Sequence, residues 1–179
     1  MSTQSQSTVG SAMYVVDMTA SPPAVLLIPQ MKGISGVGGG KRTKIDISNM
    51  DSQGYNENAG GRADPPEATG EMVLSKKIAG HVKVKKLFEA QALGSVANIP
   101  CYVADGDGTA PPTLVSGVLI PPKSGSPGTW TRSGTLGVGY ISQFAPKKAD
   151  NDVDRCDFAF QYSGGATWNV KGDATTVTS

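Results

Sequence analysis

Asp105-Gly106-Asp107-Gly108-Thr109 follows the apolar run 99–104 directly, with the residue types and spacing of a phosphoryl-transfer loop. In such a loop one carboxylate attacks phosphorus, a second handles a proton, and Mg2+ is held nearby. That chemistry needs a sheet of alternating strands and helices, and almost no helix-compatible sequence follows residue 94. The same five residues make a good turn between two strands, which is the better reading. Asp150, Asp152 and Asp154 open with calcium-loop spacing. Arg155 stands where that loop needs glycine, and Gln161 where it needs a bidentate glutamate. The glycines before Lys41 miss the Walker pattern, with Ser35 in place of Gly and Arg42 in place of Ser or Thr. His81, the single histidine, has no Cys or carboxylate pair nearby to complete a zinc set and reads as a surface or helix-start residue. Lys76, Lys77, Lys83, Lys85 and Lys86 could touch phosphates, but exposed aromatics do not interleave them. They read as a solvated helix face, or as the charge complement of a neighbouring subunit. The sequence therefore predicts no catalytic, cofactor-binding or metal-binding residues.

The elements that would carry these residues are mostly strands. In the segment 153–162, Cys156, Phe158, Phe160 and Tyr162 share one parity, while Arg155, Asp157 and Gln161 take the other. That is the two-residue period of a strand with one buried and one wetted face. Ser163-Gly164-Gly165 ends it as a turn. Residues 24–28 read as a short strand or a buried tether, and further strands are expected at 41–48, 71–79, 99–104 and 113–120, with β segments across 130–144. One helix is expected at 82–93, with Val84, Leu87, Phe88, Gln91 and Ala92 near one stripe and Gly94 as its C-cap. Residues 33–40 read as a glycine-rich loop, 145–152 as an irregular stretch, and 1–12 as a flexible N-terminal arm. Residues 50–70 are rich in turn and breaker residues, Pro65-Pro66 among them, and read as one long loop. The expected fold is mainly β: a sandwich or small barrel with one flanking helix and long arms, as a single domain over 13–179.

The totals narrow the function classes. Twenty-three glycines in 179 residues is nearly double the usual ~7%, which suits a chain of many turns. A net charge of +1 gives no bulk drive toward nucleic acid or anionic membranes. The sequence has no apolar run near the ~18 residues of a membrane span, and its start lacks a signal-peptide pattern. Synthesis in the cytosol is the expectation. Cys101 and Cys156 are too few for a disulfide framework and are expected as buried thiols.

Thr43-Lys44-Ile45-Asp46-Ile47-Ser48-Asn49-Met50-Asp51-Ser52 resembles the early signature of the major tail tube proteins of long, flexible-tailed bacteriophages. The later order matches as well: a strand entered at Gly70-Glu71, one helix, the Asp107-Gly108-Thr109 turn, and a closing Phe158-Ala159-Phe160-Gln161-Tyr162-Ser163-Gly164 strand with Thr167-Trp168 after it. The resemblance covers roughly residues 24–170. Departures are Pro65-Pro66 in the long loop and Ser48-Asn49 after the β segment. It implies six-fold homo-oligomeric rings that stack into a hollow tube, with an inner wall to which each subunit contributes a sheet. It also implies a virion location, assembly around a tape-measure protein between a tail terminator and the distal baseplate, and passage of double-stranded DNA without sequence-specific binding. Neither a cofactor nor a membrane is implied.

Exposed sheet edges suit such an assembly, because a neighbouring chain can extend the ladder. Contacts between stacked rings are expected from 1–12 and 50–70, with Asp51, Tyr55, Asn56, Glu57, Arg62 and Asp64 as candidates. Lys147, Lys148 and Asp150, within 142–152, are expected at ring edges. The competing readings are the tube of a contractile tail or secretion machine, and a β-sandwich module that binds host carbohydrate. The second would need clustered exposed aromatics, and the chain has two tryptophans, Trp130 and Trp168.

Overall fold

A computed structural model describes residues 10–37, 42–46, 58–125, 128–148 and 154–178. The chain runs β1 (Ala12–Asp17), β2 (Ala24–Leu27), β3 (Met31–Ser35), β4 (Arg42–Asp46), β5 (Asn58–Ala63), β6 (Glu67–Val73), α1 (Ala79–Ala92) and β7 (Ile99–Ala104). After these come β8 (Thr113–Val115), β9 (Val118–Ile120), β10 (Lys123–Ser124), β11 (Thr129–Trp130), β12 (Gly134–Lys147), β13 (Arg155–Tyr162), β14 (Thr167–Asn169) and β15 (Thr176–Thr178). The principal sheet is antiparallel in the order β2-β1-β7-β12-β13-β6-β3, with β14 joined to β12 and β15 to β14. It curls: residues of its terminal strand β3 line one cavity together with Gly10 and Ser11, just before β1, and Val103 and Asp105, at and just beyond the end of β7.

Each face of the sheet meets a different core. On one, Met13, Val15, Cys101, Val103, Ile141, Phe158, Phe160 and Tyr162 pack with Val84 and Leu87 of α1. On the other, Tyr14, Val16, Tyr102 and Ala104 are covered by Leu119 of β9. Burying each large side chain is worth roughly 1.5–3 kcal/mol, and strands covered on both faces bury successive residues, as β1 and β7 do. β12 carries glycine where aromatic rings cross it: a Cβ on Gly134 would meet the Tyr102 ring at 2.6 Å. Its register shifts between Ile141 and Gln143, so Ser142 forms a bulge. Gln91 of α1 accepts the Ile141 N–H there at 3.0 Å, and the Ser142 hydroxyl donates to Glu67 at 2.7 Å.

Several expectations change. Residues 50–70 are not one loop: β5 pairs with β4, and β6 begins at Glu67. The prolines read as breakers lead into β6, and the Pro66 carbonyl accepts the Tyr162 N–H at 3.0 Å. β6 ends at Val73, short of the expected 79, because α1 already begins at Ala79. β3 (Met31–Ser35) runs into the stretch 33–40 read as a loop; Gly33, at φ 62, lies within the register shift that fits β3 to β6. Residues 113–120 fold back as a hairpin, since Ser116 and Gly117 both take positive φ, as a two-residue turn requires. β12 extends to Lys147, into the stretch read as irregular. α1 ends as expected: Gly94 donates to Gln91 and Ser95 to Ala90 in a Schellman motif, with Gly94 at φ 71.

Candidate assembly surface

β13 sets the geometry of this surface. Its core parity is buried as expected, and its other parity lies in register with the outward residues of its neighbours. Gln161 faces Glu67 and Tyr140, Ala159 faces Thr69 and Gln143, Asp157 faces Glu71 and Ala145, and Arg155 faces Val73 and Lys147. β3 extends the rows with Lys32 opposite Glu71 and Ser35 opposite Thr69. The result is a four-stranded polar face, β12-β13-β6-β3, directly behind the main core. Arg155 Nη1 lies 2.9 Å from Glu71 Oε1, and Lys147 Nζ lies 2.6 Å from Asp157 Oδ2. The Asp157 carboxylate raises the Lys147 pKa, through its hydrogen bond first and its charge second. Ser35 and Thr69 share a hydroxyl hydrogen bond of 3.0 Å. Three cations on this face, Lys32, Lys147 and Arg155, match three carboxylates, Glu67, Glu71 and Asp157. As solvent-exposed pairs they add little stability. Their larger effect is to balance charge locally.

The acidic turn that resembled a phosphoryl-transfer loop has a different use. Both oxygens of Asp107 accept the Ser133 N–H, at 3.0 and 3.3 Å, and the Asp107 carbonyl accepts Lys171 Nζ at 2.6 Å. Arg132, only 2% exposed, donates Nε to the Asp105 carbonyl at 2.8 Å and Nη2 to the Gly10 carbonyl at 2.6 Å. Its Nη1 reaches the Tyr14 hydroxyl at 3.3 Å and the Ala110 carbonyl at 3.5 Å. Burial raises the Asp105 pKa, the Asp107 charge adds to that, and Arg132 opposes it. These groups tie the root of the N-terminal arm to the end of β7 and the start of β12.

His81 sits in the first turn of α1, as one expectation had it, but it is buried rather than on the surface. Its Nδ1 accepts the Ser75 N–H at 3.1 Å, which leaves Nε2 to donate to the Pro29 carbonyl at 3.1 Å. Cys101 and Cys156 are buried free thiols; burial is the main cause raising both pKa values, that of Cys156 to about 11. Trp130 is buried, and Trp168 is 45% exposed, so the two tryptophans form no shared aromatic platform.

The candidate contact residues divide. Asp51, Tyr55, Asn56, Glu57 and Asp150 lie outside the described residues. Arg62 belongs to β5, and Asp64 is exposed just beyond it. Lys147 and Lys148 come together at the end of β12, beside the start of α1. The sequence reading missed Glu67, Glu71 and Lys32 as part of one face. The wetted parity of β13 was the available signal, but its partners follow only from the strand order.

The family model "Phage tail tube, TTP, lambda-like" matches residues 1–172. The chain belongs to this family. It is a structural protein of phage tails and resides in the virion. No curated relative matches this tail tube protein by sequence. Among solved structures, it resembles the tail of an empty gene transfer agent particle with C6 symmetry (TM-score 0.57, 11% identity, 93% of this chain and 100% of that one covered). It also resembles a chain of the six-fold symmetrised baseplate of the anti-feeding prophage (TM-score 0.58, 8% identity, 94% and 97% covered). A third similarity is to the SPP1 tail tube (TM-score 0.52, 11% identity, 92% and 79% covered). At these identities the tail tube protein shares the fold with all three.

Proposed function

We propose that this tail tube protein forms six-copy rings that stack into a hollow tube, with the β12-β13-β6-β3 face lining the channel. The observation that carries this is the face itself. It is broad, polar, charge-balanced and backed by the main core, which suits a wall wetted on one side. The six-fold symmetry of the gene transfer agent tail supports the ring number. Balanced charge suits a conduit through which DNA slides without being gripped, since a basic wall would hold phosphates and release their counterions. A tape-measure protein would occupy the channel during assembly, with a terminator at one end and the distal tail at the other. The N-terminal arm, the β4–β5 hairpin with Arg62, and Asp64 just beyond it would serve contacts between stacked rings, and the end of β12 the ring edges. The domain would then begin with β1 at Ala12, rather than at residue 13, and the residues before Gly10 would be its arm. This part is structural and needs no catalytic residue or cofactor.

A Thr69→Cys variant tests the placement, because both native thiols are buried. Labelled with a maleimide gold cluster and assembled, it should show density along the tube axis by electron microscopy. Label on the outer surface would overturn the lumenal assignment.

A further inference from the structure

A small groove lies between the start of α1 and the end of β12. Leu74, Val82, Phe144 and Pro146 line it with apolar surface, and Lys76, Lys85, Lys147 and Lys148 also border it, with Asp154 among them. Lys85 is paired with Glu89 and Lys147 with Asp157; Lys76 and Lys148 have no ion-pair partner among the described residues. The groove is therefore apolar inside and net positive around it. Its volume of about 260 Å3 is below the ~300–1,000 Å3 of small-molecule sites, so it suits one inserted side chain rather than a cofactor.

The chain contains a segment of matching chemistry. β4 and β5 pair with each other as a separate two-stranded sheet and pack chiefly on one another. Residues 47–57 connect them. That connection contains Asp51 and Glu57, no lysine or arginine, and a single aromatic residue, Tyr55. An aromatic flanked by acids complements an apolar groove bordered by lysines, with the ring supplying buried area and the acids electrostatic steering.

We propose that this groove receives residues 47–57 of a second copy of the chain, with Tyr55 inserted and Asp51 and Glu57 facing Lys76 and Lys148. The inference rests on the stacked-ring reading, in which the second copy belongs to the adjacent ring. It identifies what the hairpin binds.

A fluorescent peptide of residues 47–57, titrated into the full-length protein, tests the contact without requiring tubes. Saturable binding should weaken at least tenfold in the Lys76→Glu/Lys148→Glu protein, weaken similarly when the peptide carries Tyr55→Ala, and decline with added salt. Both lysines are exposed, so the double variant should keep the wild-type near-ultraviolet circular dichroism and unfolding midpoint. Absence of binding up to millimolar peptide, or binding indifferent to the lysines, would overturn the proposal. Electron microscopy of the wild-type protein reports on the tube reading separately. Peptide binding without tubes would retain the groove and reject the stacking; tubes without peptide binding would do the reverse.

Discussion

Arg132 holds a full charge where almost no water reaches, and each of its nitrogens finds an oxygen acceptor. Exchanging it for an apolar residue of similar length strands those acceptors, and an unsatisfied buried polar group costs about 1–3 kcal/mol. Arg132→Met should therefore lower unfolding free energy by about 3 kcal/mol, measured by urea titration at pH 7. Asp105 behaves in the opposite sense. Its folded pKa lies above the ordinary 3.8, so the fold favours the protonated acid. That contribution is fully present below the ordinary value and is lost as pH rises through the raised one. Asp105→Asn should thus be more stable than the parent at pH 7, by less than about 1 kcal/mol because the group is half exposed. The gain should shrink toward zero as the pH falls below the carboxylate range; a gain independent of pH would contradict this account.

The bulge at Ser142 divides β12 between two tasks. Before it, Gly134 to Gly139 pair with β7; beyond it, Gln143 to Lys147 pair with β13 alone. Ser142 is the unpaired extra residue, since Ile141 faces Phe160 and Gln143 faces Ala159, so deleting it would leave a regular ladder with the same residues on the buried and wetted faces. The deletion variant should therefore still shield Cys156 from thiol reagents, and Ser142→Ala should shift the urea midpoint little; reactive Cys156 in the deletion variant would contradict this register. Elements whose periodicity is local were legible from sequence. The alternation of β13, the bounds of β7 and the Gly94 cap all follow from residue order. The polar rows became visible only through pairing, because Glu67 and Lys32 share a face with Asp157 by strand order rather than by spacing. β1 was missed for a related reason. Buried on both sides, Met13 to Val16 show no alternation, and the neighbouring Ser/Thr-rich arm concealed them. Pro65-Pro66 misled in the other direction, since prolines at the entry of a strand remove no ladder hydrogen bond that the strand needs.

At the scale of the whole molecule, the principal sheet packs against α1, and its polar face backs directly onto the core. On that face every carboxylate has a near neighbour that neutralises or hydrogen-bonds it: Arg155 for Glu71, Lys147 for Asp157, Ser142 for Glu67. Such a wall presents short dipoles to anything passing over it, rather than a net field. A polyanion moving along it would keep its own ion atmosphere and meet little electrostatic drag. With this face lining the channel as proposed, the wall's own hold on passing DNA should vary little between about 50 and 200 mM salt, a range over which a protein gripping several phosphates loses orders of magnitude in affinity.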